Sequence, residues 1–353
     1  MSRRTARLRA ALATERLDGL LVSGPANIRY LCGYTGSNGL MLVTRHNAFF
    51  YTDFRYQEQI RTEVKGCRKR VLKRDLYTSF PVADAAGLKR VGVEEALVTL
   101  ARFRSLRRQF KRTKLVPAHD VVMELRRTKE PAEVDSIARA QAVTDGVFAR
   151  VLPMVKPGVR EQDLALEIDF QFRKAGGENA FGSIVASGPN AAKPHAGYSS
   201  RRLKRGDSLT FDIGCMLNGY CSDMTRTVFV GRGPAELRRV YEVVLEAQMR
   251  ALDKVEPGVL ASKVDAAARD HITKAGFGKC FGHGLGHGVG LEVHERPTLA
   301  ATSKDVLSPD DVTTVEPGIY LPGVGGVRIE DMVVVTKSGC RNLTRSPKDL
   351  LEL

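Results

Sequence analysis

Leu8, Ala11, Leu12 and Leu17 recur at helical spacing near the start of the chain, so residues 5–17 are expected to form a helix with one apolar face. Two short apolar runs follow, Leu20-Leu21-Val22 and Met41-Leu42-Val43, separated by glycine-containing turns. Runs this short between turn residues read as strands. Phe49–Tyr51 and Val91–Val93 are further strand candidates, and helical stretches alternate with them up to about Val122. That order predicts a sheet with helices packed on it. The texture then changes. Glu124-Leu-Arg-Arg-Thr-Lys-Glu-Pro131 is charged and ends in a proline, whose fixed φ and missing N–H suit the first turn of a new helix. Val134, Ile137, Ala138, Ala142 and Val143 carry the helical pattern on toward Leu152. Two domains are therefore expected, residues 1–126 and residues 127–353, in an α/β (α+β) chain.

The second domain weakly repeats itself. Val155-Lys-Pro-Gly-Val159 returns as Val255-Glu-Pro-Gly-Val259, and Lys174-Ala-Gly176 returns as Lys274-Ala-Gly276 at the same offset. Each copy reads as a Pro-Gly turn, an amphipathic helix and a glycine stop. Arg205–Gly214 and Pro309–Gly318 share a build as well, which places Asp212 and Glu316 at corresponding strand positions. Two related halves that each present a carboxylate suggest a site on a pseudo-two-fold axis between them.

Leu209–Val230 reads as a hairpin turned by Asn218-Gly219. With a two-residue loop, paired positions sum to an odd number, so Asp212 and Asp223 share a face in any close register. Two carboxylates aimed together from apolar strands repel and lose hydration, a cost that protonation or a cation relieves; a solvated face would relieve it too. Gly282-His-Gly-Leu-Gly-His-Gly-Val-Gly290 sets five glycines around His283 and His287. It reads either as a flexible loop or as backbone bent so that something can approach. Glu316 ends the expected strand Val312–Val315, and Glu330 lies at the heart of Val327–Val335 among β-branched residues. Four carboxylates and one imidazole offer more donors than one tetrahedral zinc uses, and suit two divalent ions: Mn²⁺, Co²⁺ or Zn²⁺. Two ions about 3.5 Å apart can share a hydroxide and polarise a carbonyl, which is hydrolysis of an amide or ester.

Composition narrows the alternatives. A chain of 353 residues, 43% of them apolar, can bury two cores. The net charge of +15 could draw polyanions, but the densest run, Arg102 to Lys114, comes with no nucleic-acid motif and reads as a solvated helix face. No nucleic-acid partner is expected. Six cysteines without CxxC spacing read as reduced thiols. The basic start leads into an amphipathic pattern, and no run of about 18 apolar residues occurs. The expectation is a cytoplasmic protein with no membrane partner.

Pro25-Ala-Asn-Ile-Arg-Tyr-Leu31, Thr52-Asp-Phe-Arg-Tyr56, Asp212-Ile-Gly214, Ser222-Asp-Met-Thr-Arg226, Gly282 to Glu295, Val315-Glu-Pro-Gly-Ile-Tyr320 and Gly325-Gly-Val-Arg-Ile-Glu-Asp331 resemble the creatinase, aminopeptidase P and prolidase group of metallopeptidases. The resemblance covers nearly the whole chain. It implies a creatinase-like N-terminal domain followed by a pita-bread catalytic domain. It also implies that Asp212 chelates one metal ion, that His287 and Glu316 bind the other, and that Asp223 and Glu330 bridge them. His195 and His283 would bind substrate, the latter near the leaving proline. His294 would bind substrate and stabilise the tetrahedral intermediate, Glu316 would carry the proton, and Arg328 would orient ligands. The implied reaction is hydrolysis of the bond before proline by a hydroxide bridging two ions, manganese first. The substrates would be proline-containing di- or oligopeptides, and the assembly a homodimer in which the Tyr34–Asn38 loop shapes substrate length.

One departure bears on the substrate. Archaeal prolidases of similar length carry an arginine four residues after the catalytic histidine, where this chain has Thr298, with Arg296 nearby. The leading expectation is an Xaa-Pro dipeptidase. The alternative is aminopeptidase P acting on longer peptides, and a remote one is a non-catalytic binding protein of the same fold.

Overall fold

The structure is a computed structural model that describes residues 3–353. It divides into two compact units, one ending at Arg126 and one running Arg127–Leu353. No helix among the described residues is long and apolar enough to cross a membrane.

In the first unit, α1 (Arg3–Thr14) is followed by β1 (Gly19–Val22), α2 (Pro25–Cys32), β2 (Leu40–Thr44), β3 (Ala48–Asp53), α3 (Gln59–Glu63), β4 (Arg68–Leu72), β5 (Arg90–Glu94), α4 (Leu100–Gln109), β6 (Lys114–Ala118) and α5 (Val121–Arg127). The strands form one sheet in the order β4-β3-β2-β1-β5-β6. Leu21, Leu42, Tyr51, Val93 and Leu106 are among the residues that build its core. The apolar runs at 20–22, 41–43, 49–51 and 91–93 are thus strands. Two elements add to this reading. Arg68–Leu72 is a strand despite its charge, because it is an edge strand paired only with β3, and charged residues on an edge keep it from recruiting further strands. Glu124–Arg127, read as a charged linker, is the last turn of α5. Along α4, Arg104, Arg107 and Arg108 face solvent while Leu106 is buried. Residues 1–126 hold 25 Lys+Arg against 11 Asp+Glu. The second unit is therefore nearly neutral, and its binding chemistry rests on local groups rather than on a net field.

In the second unit, α6 (Pro131–Val151) begins where Pro131 takes the first helical position, and the Glu133 carboxylate accepts from the Glu130 N–H at 2.9 Å. Next come α7 (Glu161–Lys174), β7 (Glu178–Asn179), β8 (Ile184–Ser187), β9 (Ser208–Ile213), β10 (Cys215–Leu217), β11 (Tyr220–Cys221) and β12 (Met224–Phe229). The remainder is α8 (Ala235–Leu252), α9 (Ala261–Lys274), β13 (Gly286–Gly288), β14 (Glu295–Leu299), β15 (Val312–Val315), β16 (Gly318–Leu321), β17 (Gly325–Arg328), β18 (Asp331–Val335) and β19 (Cys340–Asn342). The internal repeat is structural: α7 and α9 have equal lengths at equal offsets, and the turns before them place Gly158 at φ 92° and Gly258 at φ 85°. Each half has its own core. Phe148, Leu164, Ile168 and Phe172 pack on Leu209, Phe211 and Val228, and Val244, Val264 and Ala268 pack with Val315, Ile319 and Val333.

The long hairpin is real at its tip and interrupted below it. Asn218 and Gly219 turn with φ of 51° and 81° between the paired Leu217 and Tyr220, the left-handed pair that a two-residue hairpin needs. Beneath the tip, β9 pairs with β12 in one sheet while β10 pairs with β11 and β7 in another. The breaks fall at Gly214 and at Ser222-Asp223. The strand expected over 327–335 is likewise broken, between Arg328 and Asp331. Glu330 sits in that gap, and its N–H donates to Thr225 O at 3.1 Å.

Arg226 locks this junction. It is 2% exposed and donates to Asp331 Oδ1 at 2.7 Å, Pro347 O at 2.9 Å and Ser346 O at 2.8 Å, and also to Glu330 O. Asp331 keeps Lys348 Nζ at 2.6 Å as a second cation. Arg226→Met should cost about 3 kcal/mol, the low end for removing one partner of a buried pair. Urea unfolding of the metal-loaded protein measures it, and a loss under about 1 kcal/mol would mean that Lys348 suffices.

Candidate metal centre

The second unit holds a cavity of about 520 Å³ whose lining includes His195, Asp212, Asp223, His283, His287, His294, Glu316, Arg328 and Glu330. The structure therefore brings together all nine residues singled out from the sequence. Asp212 comes from β9, opposite Thr225 of β12. Asp223 lies one residue before β12, Glu316 one residue after β15, and Glu330 between β17 and β18. Val315 pairs with Asp331, so Glu316 and Glu330 leave the two strands of that ladder side by side.

His287 sits in β13, a short strand where bent backbone was expected. Its flanking glycines are required by close approach: a Cβ at Gly286 would lie 2.2 Å from Thr314 O, and one at Gly288 would lie 2.1 Å from Arg296 O. The segment before β13 is tied down. Asp265 holds Arg269 at 2.7 Å and accepts from the Leu285 N–H at 3.1 Å, while Arg269 donates to Phe281 O and His283 O at 3.1 and 2.7 Å.

Hydrogen bonds assign the histidine tautomers. His287 Nδ1 lies 3.1 Å from Gly288 O; a carbonyl only accepts, so Nδ1 carries the proton and Nε2 a lone pair. That lone pair faces Glu316 Oε1 at 3.4 Å and Asp223 Oδ2 at 3.6 Å. Burial pulls the ring's pKa down to about 4, so it stays neutral near pH 7. His283 is fixed in the same way, with Nδ1 on Gly284 O and Nε2 accepting from the Tyr320 hydroxyl, both at 2.8 Å.

The acids are in an unfavourable state without a cation. Burial, and then the charge of Glu330, push Asp223 and Glu316 well above the usual carboxylate range. Burial and then Asp212 push Glu330 up to about 8. Ligand atoms of Asp223, His287 and Glu330 lie within 4.8 Å of one another. The His287 lone pair and the carboxylate oxygens of Asp223 and Glu316 face one another here as acceptor to acceptor, which a divalent cation resolves. The donor set fits such ions: carboxylate oxygens with one neutral imidazole. Arg328 Nη2 donates to Asp212 Oδ2 at 2.7 Å and so orients that carboxylate.

Three supporting residues escaped the sequence reading. Tyr320 accepts from Arg328 Nη1 at 2.8 Å while donating to His283. Thr225 donates to Glu330 Oε2 at 2.7 Å and accepts from Arg328 Nε at 3.1 Å. Thr314 Oγ1 accepts from the His287 N–H at 3.1 Å. All three lie within or beside the acid-bearing motifs. Strand alternation could have flagged Thr314, two residues from Glu316, whereas the pairings of Tyr320 and Thr225 are long-range. Phe181, Ile184 and Val293 supply apolar wall.

Comparison with known proteins agrees with this chemistry. Residues 135–337 match metallopeptidase family M24, and residues 4–128 match the creatinase/prolidase N-terminal domain. An uncharacterised peptidase of Bacillus subtilis is 39% identical over 98% of this chain and 99% of its own. The solved Xaa-Pro dipeptidase from Bacillus anthracis superposes with a TM-score of 0.96 at 37% identity, covering 99% of each chain. The X-Pro aminopeptidase from Thermotoga maritima does so with a TM-score of 0.89 at 34% identity, covering 97% of this chain and 99% of its own. A family match over more than half of the chain, with relatives aligned end to end, makes this protein a member of metallopeptidase family M24.

Proposed function

We propose that this metallopeptidase hydrolyses the peptide bond before proline, with Xaa-Pro dipeptides as its first substrates. The observation that carries the reading is the His287 lone pair facing the Glu316 and Asp223 carboxylates at 3.4 and 3.6 Å inside a peptide-sized cavity. Asp212, Asp223, His287, Glu316 and Glu330 would hold two divalent ions, manganese first, with cobalt or zinc also fitting. When bound, the ions supply an acidified water and a Lewis acid for the scissile carbonyl.

The chain's own groups do the rest. Glu316 takes the proton of the attacking water on a carboxylate oxygen and returns it to the proline nitrogen as the C–N bond breaks. His294, whose ring centroid lies 4.4 Å from that of His287, donates to the oxygen of the tetrahedral carbon. His195 and His283 hold the peptide, His283 with its ring fixed by Tyr320. Phe181, Ile184 and Val293 face the pyrrolidine ring and exclude water.

A second reading, an aminopeptidase acting on longer Xaa-Pro peptides, is favoured by one observation. Arg328 is the one permanent cation lining the cavity, and it is spent on Asp212, Tyr320 and Thr225. Arg296 is held by Asp305. A dipeptide's terminal carboxylate would thus meet no available guanidinium of this unit. Turnover of Ala-Pro, Ala-Pro-Ala and longer peptides with Mn²⁺ added separates the two. The dipeptidase reading expects kcat/KM for Ala-Pro to exceed that for the tripeptide by at least about tenfold, or 1.4 kcal/mol; the reverse order would establish the aminopeptidase. A homodimer is the expected assembly, and the cytoplasm the expected location, since the six cysteines show no paired spacing.

A further inference from the structure

Cys32 and Cys67 lie 35 positions apart in the chain and meet in the first unit. Cys32 is the last residue of α2, and Gly33 follows it at φ 84°. The segment between α3 and β4 crosses over this corner. The Lys65 N–H donates to Cys32 O at 3.2 Å, and a Cβ at Gly33 would lie 3.2 Å from Glu63 O. Two residues beyond Lys65, Cys67 comes beside Cys32, close enough for each thiol to shift the other. Their surroundings differ. Cys32 is 5% exposed, whereas Cys67 is only partly buried and has Lys69 and Arg9 as its nearest charges.

We propose that Cys32 and Cys67 form a reversible, hydroperoxide-responsive disulfide in the N-terminal unit, because the backbone already closes the loop at Lys65 and brings the two thiols side by side, one of them reachable from solvent beside two cations. The neighbouring Cys32, and then Lys69 and Arg9, hold the Cys67 thiol below its usual range, while the neighbouring Cys67 and burial push Cys32 up. This asymmetry sets the roles, since the thiolate is the nucleophile. The Cys67 sulfur attacks the distal oxygen of a hydroperoxide; an S–O bond forms, the O–O bond breaks, and the alkoxide leaves as the alcohol after taking a proton. The Cys32 sulfur then attacks the sulfenic sulfur of Cys67. The S–S bond forms, the S–O bond breaks, and hydroxide leaves with the Cys32 proton as water. Two thiols are oxidised by two electrons, and one hydroperoxide is reduced to alcohol and water.

The bridge would tie the end of α2 to the start of β4. It would therefore clamp the intervening Tyr34–Asn38 segment, which is already held where Glu63 accepts from the Thr35 N–H at 2.8 Å. Of the six free cysteines, Cys215, Cys221 and Cys340 are pushed up by burial, which makes them poor nucleophiles.

The test treats the metal-loaded, full-length protein with hydrogen peroxide, blocks remaining thiols with N-ethylmaleimide, and maps disulfides by mass spectrometry of a non-reduced digest. One bridged peptide pair, holding Cys32 and Cys67, is expected. Thiol titration of the unfolded protein should drop by two from the six of the reduced chain, and dithiothreitol should restore them. In Cys32→Ser, Cys67 should accumulate a dimedone-reactive sulfenic acid; in Cys67→Ser, no thiol should be lost on the same timescale. Retention of all six thiols, a different bridged pair, or oxidation of Cys280 ahead of Cys67 would overturn the proposal. The wild-type digest alone decides it if either variant fails to fold.

Discussion

Asp223→Ala should lower turnover of Ala-Pro by more than about 100-fold, because losing a group that merely supports a metal ligand already costs about 10- to 100-fold in affinity or activity. Metal content by elemental analysis should fall with it. Asp223 is 5% exposed and packed among Glu330, Asp212 and Glu316, so its removal also takes away one of several mutually repelling charges. The metal-free variant should accordingly unfold at the same or a higher urea concentration than the metal-free parent, which separates lost metal from lost fold. Asp223→Asn keeps the shape without the charge and should match the alanine variant in turnover. If metal content and activity both survive in either variant, Asp223 is not a ligand.

Stripping the metal with a chelator should abolish turnover and give the protein a stability that falls as pH rises from about 6.5 to about 8. The sign follows from linkage. Without a cation, burial and then Asp212 raise Glu330 from 4.5 to about 8, and Asp223 and Glu316 are raised as well. A carboxyl whose folded pKa lies above its unfolded value contributes stability that is fully present below the unfolded value and is lost as pH climbs through the folded one. Below about pH 6.5 the trend is opposed by His283 and His287, which burial holds down at about 4, and at lower pH by Asp331, which Arg226 and Lys348 hold low against its burial. With Mn²⁺ bound, the carboxylates are paired in their charged form and the slope should flatten or reverse. Urea midpoints measured with chelator and with Mn²⁺ across this range test it. A chelated protein whose midpoint rises with pH would mean that the acids do not share a buried site.

Much of this site could be read directly from the chain. Asp212 and Asp223 line one cavity as the hairpin implied, although the strand is broken at Asp223, and the Asn218-Gly219 turn formed as expected, because turn chemistry is a local rule. The repeated Pro-Gly turns marked two related halves for the same reason. Errors arose where a partner far along the chain overrode local preference. The strand around Glu330 broke where Glu330 N–H found Thr225 O and Arg226 found Asp331, and Arg68–Leu72, which no apolar run marks, is a strand because β3 offers an edge.

By itself, then, the sequence nominated the residues that line one cavity and showed that the second unit is built twice. Only the tertiary structure decided that Asp223, Glu316 and Glu330 meet around His287 Nε2, that Tyr320 and Thr225 brace the site, and that Cys67 comes beside Cys32. The physical reason is range: periodicity and capping act within a few residues, whereas the desolvated convergence of like charges, and the cation it demands, exists only once distant strands have packed together.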